Sequence, residues 1–428
     1  MSYLTICVIE GIKLPRFLVL YFASDLNICL DQDFPQSYFT GMGSSYNLCR
    51  VPMGGTDFSI RGYSYDDVTD DVNLDNFKLA PEDFEYKIPL MKTALNLSIN
   101  QTELKFFTAT WTAPKWMKIN NEYYGLRGEL KTEYYQTWAD YFLKFLKAYK
   151  EQGLEFWAIT PGNEPFLARI PLVKINSVAW TAETASLFVR DNLGPTLRNS
   201  EFSDIKIMAI DDQRFFYPEY VSHLMENKTT TDYIDGFSVH WYADTIIPPV
   251  VLSETHDKFP DKFILSTEAS NGFLPTDKHV DIGSWERGQA YANDIIDNLN
   301  NWSSGWVDWN LALNLNGGPT YIDNFIDSPI LVNATAGEFY KQPMYYAIGH
   351  FSKFIPENSV RVDLSPSIKH IPIVAITTPE PANKTVLVIL NKFDNSQSIS
   401  FQDGSDYINL NLEGKSITTV IFKLMKSS

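Results

Sequence analysis

The stretch LEFWAITPGNEP, residues 154–165, joins an apolar run to a polar turn, and the same pattern recurs along the chain. Its aromatic and branched apolar residues are typical of a strand with both faces buried. Pro165 ends whatever precedes it, so Asn163 and Glu164 stand at the carboxyl end of this strand. An ordinary polar turn would explain the pattern too, but it also predicts a carboxylate at the mouth of a site.

Short apolar runs of this kind occur seven times between residues 46 and 313, and helical patterns separate most of them. The clearest helix covers residues 132–151, where aromatic residues form an amphipathic stripe, and another covers about 283–299. Strands that alternate with helices predict an α/β fold with a parallel sheet. A (β/α)8 TIM barrel needs eight strands, so we expect its first strand to be missing or replaced.

The pattern changes after about residue 355, where runs of strand composition follow one another with turns and no helix between them. This predicts a C-terminal all-β sandwich over residues 355–428 and a catalytic TIM barrel over residues 36–354. Residues 1–35 match neither pattern. Within them RFLVLYFAS, residues 16–24, has strand composition, and we expect it to fill part of the gap in the barrel.

Composition excludes several classes of protein. The net charge of −17 argues against a nucleic-acid partner, and no apolar run reaches the ~18 residues of a transmembrane segment. The three cysteines have no metal-ligand spacing and the histidines are scattered, so we expect no metal site. Six N-x-S/T sequons indicate the secretory route, whereas the N-terminus is a poor signal peptide.

In a parallel barrel, side chains at the carboxyl ends of the strands line the active site. These ends carry two carboxylates, Glu164 and Glu268, among aromatic residues. A retaining glycosidase needs two carboxyl groups about 5 Å apart, one protonated and one ionised, and we expect these two at that separation. Either Glu alone is more often a surface charge, so the hypothesis depends on their common position. The other polar and aromatic residues near strand ends are Arg50, Asp57, Trp111, Trp116, Asn163, His240, Trp241, Tyr242, Trp306, Asp308, Trp309 and Asn310.

Longer runs carry a family resemblance that extends from about SYFTGMGSSYNLCRVPM to the C-terminus. It is dense in TPGNEP, DDQRFFYP, VHWYAD, STEAS, DWNLALNLNGGP and FYKQPMYYAIGHFSKFIPENS. In these runs the chain resembles the acid β-glucosidases, or glucosylceramidases, of glycoside hydrolase family 30. The resemblance implies retaining hydrolysis of a β-glucoside, with Glu164 as the acid/base and Glu268 as the nucleophile.

The same resemblance implies roles for eight further residues. Six correspond to substrate-binding positions, namely Asp57, Trp111, Asn163, Tyr242, Trp309 and Asn324. Arg50 and His240 correspond to residues that orient the two carboxylates.

The resemblance further implies glucosylceramide as the substrate, at a membrane surface in the lysosome or the secretory pathway, with a saposin-type activator and no cofactor. The alternatives are a related β-glycosidase acting on another glucoside, such as a steryl glucoside, and a non-catalytic homologue that binds saccharides or lipids. Retention of both carboxylates favours an enzyme.

Two departures from the family pattern affect these expectations. The segment FLARIPLVKINSVAW, residues 166–180, lacks the family's Gly-Tyr-Pro-Phe stretch, so we expect a different entrance on the aglycone side. Residues 1–35 do not resemble the family's N-terminal portion, which carries the first barrel strand and a glycine-rich loop. We therefore expect the chain made alone to fold poorly and to have little activity.

Overall fold

The first two strands of the chain join the C-terminal sheet and not the barrel. The computed structural model describes residues 3–7, 13–14, 33–98, 104–171, 173–366, 370–403 and 406–423. Strands β1 (Tyr3–Cys7) and β2 (Lys13–Leu14) both pair antiparallel with the strand that opens the C-terminal sheet. The run at residues 16–24, expected in the barrel gap, lies outside the described residues.

Seven parallel strands form the barrel sheet, and each pairs with the next one along the chain. This confirms the TIM-barrel prediction with seven strands in the described part of the chain. Nearly every residue in them is buried, which explains their continuous apolar runs. The strands are β3 (Leu48–Met53), β4 (Lys105–Thr110), β5 (Ala158–Thr160), β6 (Lys206–Gln213), β7 (Gly236–His240), β8 (Phe263–Glu268) and β9 (Ser303–Trp306).

Helices cover the outside of the barrel and connect its strands. The predicted helix at 132–151 begins with a single 3₁₀ turn and continues as α3, whose aromatic stripe is buried in the main core. The α-helices are α1 (Asp33–Phe39), α2 (Ile88–Leu97), α3 (Tyr135–Glu151), α4 (Ala182–Phe188), α5 (Gly194–Arg198), α6 (Glu219–Leu224), α7 (Lys228–Tyr233), α8 (Val250–Lys258), α9 (Trp285–Asn300) and α10 (Pro343–Ser352). Among the described residues, no helix has both the length and the apolar character needed to cross a bilayer.

The remaining strands form two further sheets. A small sheet after the barrel contains β10 (Leu313–Asn314), β11 (Ile330–Asn333) and β12 (Glu338–Lys341). The predicted C-terminal β domain contains β13 (Ser359–Pro366), β14 (Ile373–Thr377), β15 (Thr385–Asn391), β16 (Gln397–Asp403), β17 (Asp406–Leu412) and β18 (Ser416–Phe422). The order of its main path is β17-β16-β1-β13-β14-β15-β18.

Strands β14 and β15 attach the C-terminal domain to the barrel because both of their faces are buried. Successive side chains of a strand point to opposite faces. Ile373 and Leu387 belong to the core of the β domain, whereas Val374 and Val388 belong to the core shared with the barrel. A side-chain hydrogen bond of 2.9 Å from Asn300, the last residue of α9, to the carbonyl of Ile373 completes the junction.

The sequence pattern predicted the last barrel strand too far along the chain. The predicted last barrel strand covered residues 305–313, but β9 ends at Trp306. The residues that follow include DWNLAL, which is apolar because it packs against other elements and not because it continues the strand.

Helix α1 lies beside the gap between β9 and β3. The Tyr38 hydroxyl donates a 2.6 Å hydrogen bond to the carbonyl of Leu311, which follows β9. On the other side, the amide of Tyr46 donates to the Tyr38 carbonyl at 2.9 Å, close to the start of β3. The hydroxyl of Tyr345 in α10 bonds to the carbonyl of Ser37 at 2.5 Å. Within the described residues, α1 therefore links the two sides of the open sheet.

We predict that Tyr38→Phe destabilises the protein by about 1 to 3 kcal/mol, because it leaves the buried carbonyl of Leu311 without this donor. The free energy of unfolding measured in urea tests this. The control is Tyr346→Phe, since the Tyr346 side chain is 57% exposed and its change should have little effect. Equal stability of the two variants would contradict the proposed link across the gap.

Candidate active site

A cavity of about 490 Å³ opens at the carboxyl ends of the barrel strands, a volume typical of small-molecule sites. The structure brings together all ten site residues predicted from the sequence. Arg50 and His240 lie behind the wall and contact the carboxylates. The other eight line the cavity, namely Asp57, Trp111, Asn163, Glu164, Tyr242, Glu268, Trp309 and Asn324.

Other aromatic and polar residues noted near strand ends have packing contacts instead. Trp116 donates to the carbonyl of Asp66, and Trp306 donates to the carboxylate of Asp294. Asp308 accepts a 2.6 Å hydrogen bond from the Tyr291 hydroxyl. These residues do not line the described cavity, so a position near a strand end is not enough to place a residue in the site.

The carboxylates of Glu164 and Glu268 lie close together. One oxygen of Glu164, one oxygen of Glu268 and one ring nitrogen of His240 all lie within 4.8 Å of one another. Both glutamates are buried, Glu164 just after β5 and Glu268 as the last residue of β8. The common direction of the parallel strands brings them to the same end of the barrel.

The backbone of Glu164 is left-handed, with φ +42°. This conformation costs a non-glycine residue roughly 1 to 2 kcal/mol, and such strain is concentrated at functional sites. Two hydrogen bonds stabilise it. The Glu164 amide donates to the carbonyl of Asp211 at 2.9 Å, and its carbonyl accepts from the amide of Leu167 at 2.9 Å. The strained turn therefore aims the Glu164 side chain into the cavity.

The two glutamates differ in how their oxygens are bound. Gln213 and His240 both contact Oε1 of Glu164, at 2.6 and 3.0 Å. Glu268 instead has a donor on each oxygen, because Arg50 pairs with Oε2 and the Tyr242 hydroxyl donates to Oε1 at 2.8 Å. Among the described contacts, Oε2 of Glu164 is thus the oxygen that stays available for a proton.

Asp211 is a buried carboxylate that the sequence analysis did not assign. It accepts from Arg50 at 2.7 Å, from His240 at 3.2 Å, and from the hydroxyls of Thr160 and Thr267 at 2.9 and 2.7 Å. Burial favours the neutral acid, but the charges of Arg50 and His240 and these hydrogen bonds hold the pKa of Asp211 well below its usual value. A carboxylate therefore fixes both cations behind the catalytic pair.

A bulge in β6 aims Asp211 toward this position. The pairing with β7 shifts by one residue between Ile210 and Asp212, and Ile210 and Asp211 have φ values of +81° and +53°. A bulge turns the side chain of the extra residue away from its regular direction. The run IKIMAIDDQ carries the signal that could have found Asp211, since two acids follow its apolar residues at the carboxyl end.

His240 carries a positive charge between the two glutamates. Glu164, His240 and Glu268 offer three atoms close enough to share an ion. Burial lowers the pKa of His240, but the charges of Glu268 and Asp211 outweigh it and raise that pKa to about 10. Both ring nitrogens of His240 then act as donors, to Glu164 at 3.0 Å and to Asp211 at 3.2 Å. His240, Glu164 and Asp211 thus form a hydrogen-bonded cluster of their own.

The sugar-sized end of the cavity combines stacked indoles with a buried acid. The rings of Trp111 and Trp309 lie 4.8 Å apart and nearly parallel, at 18°. Asn324 donates to the carboxylate of Asp57 at 2.8 Å. Burial raises the pKa of Asp57 to about 7. Hydroxyl groups of a ligand would find both hydrogen-bonding partners and an aromatic wall here.

The other end of the cavity is apolar, and the sequence analysis missed it. Several of its side chains also face solvent, since Phe166 is 40% exposed, Phe215 45% and Ile246 80%. They lie in loops after the strands, where no periodic pattern marks them. The apolar lining residues of this end are Phe166, Leu167, Ile170, Phe215, Ala243, Ile246 and Ile247. Ile175, Phe273 and Ile326 also line the cavity, but they pack with the two indoles.

Arg214 holds the loop that carries part of this apolar end. Its guanidinium pairs with Asp244 at 2.6 Å and donates to the carbonyl of Ile247 at 3.2 Å. Asp294 in α9 lies 3.6 Å from the same guanidinium. Because Arg214 is buried, these contacts anchor the loop from Tyr242 to Ile247 to the barrel.

Comparison with known proteins agrees with this fold and this site. The TIM-barrel domain of glycosyl hydrolase family 30 matches residues 24–355, and the β-sandwich domain of the same family matches residues 358–420. The chain therefore belongs to glycosyl hydrolase family 30 and is a glycoside hydrolase.

Relatives and solved structures extend this comparison. The lysosomal acid glucosylceramidase of Mus musculus is 41% identical over 372 residues, which cover 86% of this chain and 72% of the mouse protein. An endo-1,6-β-D-glucanase of Neurospora crassa is 28% identical over 374 residues, covering 83% and 72% of the two chains. The crystal structure of SrfJ from Salmonella typhimurium has the same fold, with a TM-score of 0.89, 24% identity and coverage of 99% and 93%.

The buried acids predict that the protein is more stable at pH 5 than at pH 8. Burial raises the pKa of Asp57 to about 7 and, together with the charge of Glu164, raises that of Asp212 to about 8. A raised pKa contributes stability that is complete below the unfolded value of about 4 and is lost as pH rises through the folded value. His240 acts in the same direction from about pH 6.5 upward. The thermal unfolding midpoint should therefore fall by several degrees from pH 5 to pH 8.

Three variants test the source of this dependence. Asp57→Asn and Asp212→Asn should each reduce the difference in midpoint between the two pH values. Asp261→Asn is the control, because Lys262 lowers the pKa of this exposed carboxyl and keeps it ionised throughout. A difference that stays the same in all three variants would show that other groups cause it.

Proposed function

We propose that this chain is a retaining β-glucosidase that hydrolyses glucosylceramide to glucose and ceramide. The observation that carries the proposal is the approach of the Glu164 and Glu268 carboxylates, whose oxygens come within 4.8 Å. A retaining pair is separated by about 5 to 5.5 Å, whereas an inverting pair stands about 6.5 to 9.5 Å apart to admit a water. The short separation supports direct attack by a carboxylate.

In the first step Glu268 attacks the anomeric carbon and the bond from that carbon to the leaving oxygen breaks. Glu164 gives its proton to this oxygen, so the aglycone leaves as a neutral alcohol. Burial raises the pKa of Glu268, which favours one proton on the pair. Both oxygens of Glu268 accept other donors, which supports placing that proton on Oε2 of Glu164.

In the second step water replaces the nucleophile. Glu164, now ionised, takes a proton from water as the oxygen of that water attacks the anomeric carbon. The bond to Glu268 breaks, glucose leaves with its original configuration, and Glu164 is protonated again. No other reactant is needed.

The surrounding residues bind the sugar and hold the carboxylates. Asn163 binds the 2-hydroxyl, and its own side-chain oxygen is fixed by a 2.6 Å hydrogen bond from Arg50. Asp57 and Asn324 bind further hydroxyls, while Trp111 and Trp309 form the aromatic wall of the glucose pocket. Arg50 and His240 orient the carboxylates, and Tyr242 assists Glu268.

The apolar half of the cavity supports a lipid aglycone. It begins beside Glu164, which must reach the leaving oxygen, and continues to exposed side chains such as Ile246 at the rim. A hydrocarbon would cover apolar surface that otherwise meets water. The rim also suits work at a membrane surface, where a saposin-type activator would present the lipid. The resemblance to the mouse enzyme and the stability expected at low pH favour an acidic compartment of the secretory pathway, such as the lysosome.

The mechanism predicts different effects for the two glutamates. Glu268→Gln should prevent any glycosyl-enzyme from forming, because an amide cannot serve as the nucleophile. Glu164→Gln should still form it from a glucoside whose leaving group needs no proton, with loss of roughly 10²- to 10⁴-fold for poor leaving groups. Mass spectrometry after treatment with a 2-fluoro-glucoside, together with kcat/KM for dinitrophenyl and alkyl glucosides, which reports the first step, measures both effects.

Asp257→Asn, which removes a carboxylate from helix α8 outside the cavity, is the control and should keep full activity. Labelling of Glu268→Gln, or labelling of another residue in the unchanged protein, would refute the assigned nucleophile. Equal losses for both leaving groups in Glu164→Gln would refute its role as the acid.

The substrate proposal predicts faster cleavage of a lipid glucoside than of a β-1,6-glucan. The Neurospora relative is named for action on such a glucan. A glucan, however, would place hydroxyl groups against the apolar lining residues. Glucose release from glucosylceramide in mixed micelles and the formation of reducing ends from β-1,6-glucan, each relative to an aryl glucoside, separate the two. Preference for the glucan would leave the β-glucosidase mechanism intact and reject the lipid aglycone.

A further inference from the structure

A second cavity of about 240 Å³ lies next to the proposed substrate cavity. Aromatic rings form much of its wall. Phe216 packs edge-to-face against Phe166 and Tyr220, with ring centroids 5.6 and 5.3 Å apart. Trp180 and Ala182 also line the cavity. A solvent-accessible apolar hollow of this kind is favourable when a hydrocarbon fills it.

The second cavity adjoins the first. Phe166 and Asp212 line both cavities, and Pro165, which lines the second, directly follows Glu164. Phe166 therefore forms a partition between them. A leaving oxygen held by Glu164 would lie close to the start of both cavities.

The two charged groups of the second cavity do not point to a polar ligand. The carboxylate of Asp212 accepts from the amide of Phe166 at 3.1 Å and from the amide of Gln213 at 2.8 Å, so each oxygen already has a donor. Arg169 lies at the exposed side. The interior is therefore suited to a hydrocarbon.

Part of this cavity comes from the segment that departs from the family pattern. Residues 166–180 lack the Gly-Tyr-Pro-Phe stretch, and they supply Phe166, Arg169 and Trp180 to the cavity wall. The cavity thus belongs to the region where this chain's entrance was expected to differ.

We propose that the second cavity binds one hydrocarbon chain of a two-chain aglycone while the other chain occupies the apolar half of the first cavity. The inference rests on the proposed function, because it takes the leaving oxygen to be at Glu164. Two chains that branch near this oxygen would lie on either side of Phe166. The site would then select two-chain glucolipids over one-chain glucosides.

Ala182→Phe tests the proposal by filling the second cavity. The measurement is kcat/KM for glucosylceramide and for dodecyl β-glucoside in the same mixed micelles, with an aryl glucoside reporting the intact catalytic site. Each buried methylene group contributes to binding, so loss of a few should lower the ratio of two-chain to one-chain kcat/KM roughly tenfold. The aryl glucoside rate should not change.

Glu183→Phe is the matched control, since it adds the same ring to the same helix at an exposed position. Ala182→Val, a smaller change, replaces Ala182→Phe if thermal unfolding shows that the larger residue disturbs the fold. It should lower the ratio less. An unchanged ratio, or equal loss on both lipids with the aryl rate intact, would overturn the second-chain site.

The unchanged protein separates this inference from the proposed function. Cleavage of one-chain glucosides without cleavage of glucosylceramide would overturn the second-chain site and leave a β-glucosidase. Failure to cleave any β-glucoside would overturn the proposed function, and the inference with it.

Discussion

Five buried charged side chains at the carboxyl ends of the barrel strands constrain the whole site. Arg50 and the protonated His240 face the carboxylates of Glu164, Asp211 and Glu268. A buried ion without a partner costs several kcal/mol, so these residues are stable only when their strands meet in one register. Three negative charges against two positive charges also leave room for one proton. A retaining pair needs that protonation state at rest.

The catalytic end could be predicted because it is built on strands. Apolar runs located seven strands, and their polar ends supplied Glu164, Glu268, Arg50 and His240. Asp211 could be predicted in the same way, because it lies near the carboxyl end of β6. The pairing of β1 with the C-terminal sheet could not be read in this way, since contacts between distant strands leave no local pattern. The apolar wall was missed because its residues lie in loops, where burial follows from tertiary packing.

Ion pairs nevertheless hold part of the apolar wall in place. Arg214, anchored between Asp244 and Asp294, ties the loop of Ile247 to the barrel as Arg50 ties Glu268 to Asp211. Burial, together with the neighbouring charge of Asp294, raises the pKa of Asp244 to about 11. A proton between these two acids would leave one negative charge opposite one guanidinium. The same physical device, a buried arginine with more than one acid, therefore supports both the reacting end and the apolar end.

Different constraints act on the reacting end and on the apolar end of the cavity, and Glu164 contributes to both ends. Changes among the loop residues can alter the surface offered to a leaving group without breaking the charge cluster on the strands. Glu164 belongs to both parts, because its side chain contacts His240 while its carbonyl accepts from Leu167 in the apolar wall. Its left-handed backbone redirects the loop four residues after β5 ends. A residue in a relaxed conformation would send this loop in another direction, and the acid would then lose its place between the sugar and the aglycone.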